Sequence, residues 1–502
     1  MSQKRIGILI TYANLVAGMI INVFLTPYMI ASLGDVDYSI YKVIQSFAGP
    51  LAMFQLGVST VVARSIAKEQ NATEIKRNTL AHALLASVIM AMMVLLAASV
   101  MYVLIPTAYG KTYGAESILA ARKMFVFFAT ASILHILTDA FSGCVIGHEH
   151  FAINSSIAFG KTLGKVLLYL VFLKCGLSVV SLAVADMILA AGVFALTAGY
   201  ALLVLKERPK VIAFDKKMMI EILSFGVAIF LQTFVNQVNN NVDIMILGGC
   251  TEDKSYITMY ASALAIYTIY NSLISVMTNF YLPDATKLLN KGASGDDITD
   301  FVIHRGRWQA IIAVACVFGF ILFGRNFIRI WIGENYINAY YVILMLMIPV
   351  TVPLVENSMI AVLDAMLKRF VRSVTLVVMA ILNVAISLWL VRTIGFWGAA
   401  LGTVISLIVG HGVVMNIYYS RAFGVNVLRM FREIFRGILP SGILASVLCI
   451  PVAVYLSDTI TSFVIKCLCF VGVYCLFLNW FGLNDAEKRT LFSRFGILTE
   501  KS

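Results

Sequence analysis

The chain is a succession of apolar stretches, each about 20 residues or longer and set off by charged or turn-forming residues, and that pattern leaves few folds open. Wound as helix, about 20 apolar residues cross the hydrocarbon core of a bilayer. Fourteen such stretches can be marked: 7–32, 39–63, 79–105, 124–147, 151–173, 177–205, 220–249, 256–282, 308–328, 339–363, 371–391, 396–420, 437–456 and 460–482. Strands of a membrane barrel would alternate polar and apolar residues over about ten positions, and these stretches do not. With 60% hydrophobic and 13% charged residues in 502, the chain reads as an all-α membrane protein with 14 transmembrane helices.

The first stretch imitates a signal peptide, with Lys4 and Arg5 ahead of an apolar run. The run is too long for that, carries Asn14 and Asn22 and lacks a small-x-small cleavage site, so a retained first span is expected. Eight cysteines fall mostly within spans with no CxxC pair and read as small hydrophobes.

Of the 38 Lys and Arg, 26 lie at the termini and in one alternating set of loops, and ten lie on the opposite side or at its span ends. Basic loops face the cytoplasm, which places both termini there. The net charge of +12 is then mostly a cytoplasmic-face charge facing anionic lipid. No module interleaves aromatic and basic residues for nucleic acid, so no nucleic-acid partner is expected.

The chain also resembles itself at a spacing of about 215 residues. "NVFLTPYMIASLG" (Asn22 to Gly34) aligns with "NQVNNNVDIMILG" (Asn236 to Gly248), and "LKCGLSVVSLAVADMI" (Leu173 to Ile188) with "VRTIGFWGAALGTVIS" (Val391 to Ser406). The repeats lie six spans apart, an even number, so both halves share one orientation. The expected organisation is an N-lobe at 1–205, a cytoplasmic linker at 206–219, a C-lobe at 220–420, and two further spans with a cytoplasmic tail at 421–502. Two pseudo-symmetric six-helix lobes around a central cavity are a transporter's architecture, worked by alternating access.

The residues Ile10 to Lys68, "ITYANLVAGMIINVFLTPYMIASLGDVDYSIYKVIQSFAGPLAMFQLGVSTVVARSIAK", resemble the start of bacterial polysaccharide flippases, the Wzx-like branch of the multidrug/oligosaccharidyl-lipid/polysaccharide (MOP) exporter superfamily. "GHEHFAINS" (Gly147 to Ser155) is similar to that family's elbow between spans four and five. The resemblance implies a flippase of the bacterial cytoplasmic membrane that moves undecaprenyl-diphosphate-linked oligosaccharide to the outer leaflet for surface polysaccharide biosynthesis. It implies coupling to an H+ or Na+ gradient, no other cofactor, and a polysaccharide polymerase and glycosyltransferases as partners. Consistently, no GxxxxGK[ST] phosphate loop occurs.

Such a substrate needs fixed cations to meet its head group. Lys161 and Lys165 sit at i,i+4 near the middle of span five, where each costs about 2.5 to 3.5 kcal/mol. Two readings stand side by side. Asp139 and Asp186 lie at matching depths on spans four and six and can neutralise the pair, or the lysines face the cavity as a diphosphate site. An aspartate that releases its lysine to phosphate would couple the two. Arg64 is either an entry contact for the diphosphate or a positive-inside anchor.

His135 stands four residues before Asp139, either titrating in the membrane or simply packing. A metal site at His148, Glu149 and His150 lacks further ligands, and none is expected. In "MIPVTVPLVENSMIAVLDAML" (Met347 to Leu367), Glu356 and Asp364 follow Pro349 and Pro353, and a carboxylate beside a proline bend suits a cation or proton. On a helical wheel Gln232, Asn236, Asn239 and Asp243 share a stripe with Asn240 beside it, read as a cavity wall for sugars with Asp243 for ion coupling. Interhelical glue is the plainer reading. Asn22 joins the sugar contacts through the repeat, whereas Gln237 and Asn241 point elsewhere. A lipid II flippase and a cation-coupled multidrug antiporter of the same superfamily remain alternatives. A membrane glycosyltransferase or polymerase fits less well, because the outer loops are short.

Overall fold

The computed structural model describes residues 3–55, 57–68, 73–210, 214, 216–276, 278, 281–366 and 368–494. Among them no strand occurs, and two compact units form, one of Met1–Ala261 with Val391–Ala399 and one of Ser262–Leu390 with Ala400–Ser502. Compactness thus groups residues 220–261 with the first unit, whereas the expected lobes were drawn from the repeat.

The first unit contains α1 (Gln3–Ala48), a 3-10 turn (Gly49–Phe54), α2 (Val58–Lys68), α3 (Thr73–Tyr109), α4 (Ala115–Gly147), α5 (Phe151–Lys174), α6 (Val180–Gly199) with a π-helical turn (Tyr200–Val204), α7 (Lys216–Cys250) and the start of α8 (Lys254–Ser275). At 46 residues α1 covers the first expected span and the start of the second, and it is broken at Gly34, where φ 70 and ψ 174 leave the helical region. That backbone favours glycine, because a Cβ clashes at positive φ. α4 packs on α2, α3 and α6, and α1 packs on α5 and α7.

The second unit holds the rest of α8, then α9 (Tyr281–Asn290), α10 (Gly295–Trp331), α11 (Asn338–Val355), α12 (Asn357–Ala365), α13 (Arg369–Ile394) and α14 (Trp397–Leu407) except for the end of α13 and the start of α14, which fall in the first unit, a π-helical stretch (Ile408–Met415), α15 (Asn416–Phe423), α16 (Val427–Phe435), α17 (Ile438–Tyr455), α18 (Ile460–Phe477) and α19 (Asp485–Arg494). Its axis is α10, longer than the expected 308–328. A capping box starts that helix early: Ser294 Oγ accepts from the Asp297 amide at 3.3 Å and Asp297 Oδ2 accepts from the Ser294 amide at 2.8 Å. Around α10 lie α11, α16, α17 and α18, and their buried residues, including Val314, Phe323, Ile434, Phe470 and Tyr474, form its core.

Twelve candidate spans are long and apolar enough to cross a membrane among the described residues. The first, Leu9–Ala67, is 59 residues long and takes in nearly all of the first expected span and the whole of the second; α7, whose side chains are only partly described, is not among the twelve. The count is consistent with fourteen, and the chain is a multi-pass membrane protein.

Candidate functional site

Lys161 and Lys165 stand on α5 about 15 and 21 Å from its first residue at 1.5 Å per residue, one turn apart and on one face. They line a single cavity of about 250 Å³ with Asp186 of α6, His135 of α4, Gln45 of α1, Gly49 of the 3-10 turn and Gln237 of α7. All of these residues belong to the first unit. The volume holds several waters.

The two lysines have different partners. Lys165 Nζ lies 3.2 Å from Asp186 Oδ1 and 5.0 Å from the centre of the Tyr169 ring, within cation–π range. Lys161 Nζ lies 3.0 Å from His135 Nε2. An ammonium can only donate, so this ring nitrogen accepts and the imidazole is neutral. Lys161 therefore meets no carboxylate in that contact. Asp186 Oδ2 accepts from the Tyr169 hydroxyl at 2.9 Å, and the Tyr169 and Tyr41 hydroxyls lie 2.7 Å apart.

Several expectations need correction. Asp139 does not neutralise Lys161: its Oδ2 accepts from the Ser59 amide at 3.0 Å, an otherwise open N–H in the first turn of α2. Matching depth on neighbouring helices placed Asp139 near the right level without fixing which way it turns. Gln237, set aside on the helical wheel, lines the cavity. Asn241 Nδ2 donates to the Gln237 backbone oxygen at 3.0 Å and to its side-chain Oε1 at 2.7 Å. Gly49 leaves room for that amide, since a Cβ there would stand 2.8 Å from Asn241 Nδ2.

The remaining candidates lie apart. The side chains of Gln232, Asn236, Asn239 and Asn240 are outside the described residues. Asp243 is buried and accepts from the Tyr260 hydroxyl at 2.5 Å, and it does not line this cavity. Arg64 and Asn22 are exposed. Glu356 is buried in the second unit at the break between α11 and α12, where Asn416 Nδ2 donates to its Oε1 at 2.9 Å. Two residues went unread in the sequence. Lys42, counted there among the span-end charges, has its Nζ 5.6 and 5.7 Å from the Tyr38 and Tyr41 ring centres, and Tyr41 is itself buried and hydrogen-bonded to Tyr169.

Two ammoniums and one carboxylate thus line one cavity, and the Lys42 ammonium lies against the rings of Tyr38 and Tyr41. Each lysine is held by contacts it can exchange, which suits a multiply charged anion better than an organic cation.

A lipid II flippase, MurJ, in an inward closed conformation has the same fold, with a TM-score of 0.72 at 13% identity over 97% of this chain and 99% of that one. An inward-facing multidrug resistance transporter of the MATE family, of the MOP superfamily, gives 0.68 at 13% identity over 86% and 99%. A MATE crystal structure in complex with MaL6 gives 0.56 at 13% identity over 86% and 98%. No curated protein matches the sequence. The fold is therefore that of MOP-superfamily transporters and flippases. Residues 5–289, more than half of the chain, match the family described as polysaccharide biosynthesis protein, and the chain belongs to it.

Proposed function

We propose that this protein flips an undecaprenyl-diphosphate-linked oligosaccharide from the cytoplasmic to the outer leaflet of a bacterial cytoplasmic membrane by ion-coupled alternating access. The observation that carries the reading is the cavity wall on which Lys161 and Lys165 stand with Asp186. Two cations near mid-helix are costly in lipid, and a diphosphate gives them a reason to be there. Family membership favours a glycan-repeat substrate over lipid II, whose head group offers the same diphosphate chemistry.

In the resting site Asp186 holds Lys165 at 3.2 Å. A diphosphate entering the cavity takes over the ammoniums as charge-assisted donors, and Asp186 is left to a proton or Na+, which links the ion to the substrate. Glu356 and Asp243 are further ion-coupling candidates, being buried carboxylates. Asp139 leaves that role to cap α2. Gln237 joins Asn22, Gln232, Asn236, Asn239 and Asn240 as a candidate sugar contact, since amides both donate and accept. Arg64 remains a candidate entry contact, and a polymerase and glycosyltransferases the candidate partners.

The test is the double variant Lys161→Ala with Lys165→Ala in a strain whose surface glycan depends on this protein. Surface glycan is expected to disappear while the protein persists in the membrane. Undiminished glycan at normal protein level would overturn the lysine site.

A further inference from the structure

Behind the Lys165–Asp186 pair runs a chain of hydrogen bonds between two tyrosines of opposite helices, Tyr41 on α1 and Tyr169 on α5. Both are 1% exposed. The direction of the chain follows from its last member. A carboxylate paired with Lys165 accepts only, so the Tyr169 proton goes to Asp186 Oδ2 at 2.9 Å. Tyr169 must then accept from Tyr41 across their 2.7 Å contact, and Tyr41 in turn accepts from Gln45 Nε2 at 3.2 Å. Every donor points toward Asp186. Gln45 and Asp186 both line the cavity, so the chain leaves it at one residue and returns to it at another.

We infer that Tyr169, polarised by Tyr41, is a positioning residue that lets Asp186 release Lys165 to an anionic ligand, an inference that rests on the diphosphate reading of this cavity. When Lys165 turns to phosphate, Asp186 loses the contact to Oδ1 and keeps the Tyr169 hydroxyl on Oδ2. A hydrogen bond to a charged group inside low-dielectric surroundings is among the stronger ones. Without it, Asp186 depends on Lys165 alone and competes with the ligand for the ammonium. Tyr41 acts one bond further back, donating to Tyr169 and so strengthening the bond that Tyr169 makes.

The experiment is a double-mutant cycle on the purified full-length protein in detergent, with undecaprenyl diphosphate as the probe. Tyr169→Phe is expected to weaken probe binding about tenfold, and Tyr41→Phe less, in the same direction. Asp186→Asn frees Lys165, and in that background Tyr169→Phe is expected to change the affinity less than twofold. A readout that mere packing would not move is the infrared carboxylate band that Asp186→Asn removes. It is expected to shift in Tyr169→Phe.

An undiminished tenfold loss in the Asp186→Asn background, an unshifted band, or no loss from Tyr169→Phe alone overturns the inference. The lysine double variant separates the two readings. If it binds the probe as wild type does, the anion site fails and takes this inference with it; if it loses binding while the cycle is additive, only the tyrosine role fails.

Discussion

Asp186 gives its two oxygens to different donors, Oδ1 to Lys165 and Oδ2 to Tyr169, whereas Asp139 turns one of its oxygens to the Ser59 amide. The two aspartates lie on α4 and α6, before and after the helix that carries both lysines, yet their chemistry differs. A carboxylate that caps a helix needs an oxygen acceptor, and an amide supplies one. Asp139→Asn is therefore expected to keep surface glycan within about twofold of wild type, and Asp139→Ala to lower stability by about 0.5 to 2 kcal/mol through the lost cap. Surface glycan and detergent-solubilised unfolding midpoints check both, and glycan lost in Asp139→Asn with the protein level intact would restore Asp139 to the site. Lys161, Lys165 and Asp186 were legible in sequence because a charge inside an apolar run needs a partner or a ligand. Lys42, Tyr41 and Gln237 were not, because a lysine near a span end, a tyrosine and an amide all have ordinary places in a membrane helix. The wheel shows which residues share a face of α7 and not which neighbour that face meets.

At the scale of elements, α4 docks α2 through residues four apart: Asp139 caps it, and Gly143 and Gly147 let it approach. A Cβ on Gly143 would lie 2.6 Å from the Ser59 backbone oxygen and 2.7 Å from the Ser59 Cα, and one on Gly147 would lie 2.8 Å from the Ile66 Cβ. Small residues at i and i+4 allow this closeness in membranes. Because the obstruction at Gly143 is backbone, it cannot be relieved by a rotamer change, and Gly143→Ala is expected to destabilise by about 1 to 3 kcal/mol. Thermal unfolding of the purified variant checks this, and an unchanged midpoint would mean that α2 shifts freely against α4. The α10–α19 anchor is of another kind. The buried Arg307 guanidinium donates to Glu487 Oε1 at 2.6 Å and Oε2 at 3.0 Å, and also to the backbone oxygens of Glu433, Arg436 and Gly482. The helices themselves were legible from length and hydropathy. The break at Glu356 was signalled by Pro349 and Pro353, whereas the break at Gly34 and the capping at Ser294 were not legible, since each depends on local backbone geometry inside or beside an apolar run.

For the whole molecule, the even helix count and the distribution of lysine and arginine make one joint statement about orientation. With the fourteen crossings expected from the sequence, the C-terminus returns to the side of the N-terminus, and the orientation we propose from the basic loops puts that side in the cytoplasm. Two of the ten opposite-side charges are packed against protein groups rather than free in loops, as Arg307 is on the other side. Lys466 is fully buried on α18 and reaches Asp458 at 3.3 Å, and Lys42 lies against tyrosine rings, so neither is an exposed loop charge. A green fluorescent protein fused after Ser502 is therefore expected to fluoresce, and alkaline phosphatase fused there to be inactive. The turn between α3 and α4 is one odd crossing count away, so alkaline phosphatase inserted after Lys111 is expected to be active. An active phosphatase at Ser502 together with an inactive one at Lys111 would invert the molecule, and with it the direction of flipping. Activity at both positions would keep the N-terminal orientation and mean an odd number of crossings, locating the error in the helix count between α4 and α19.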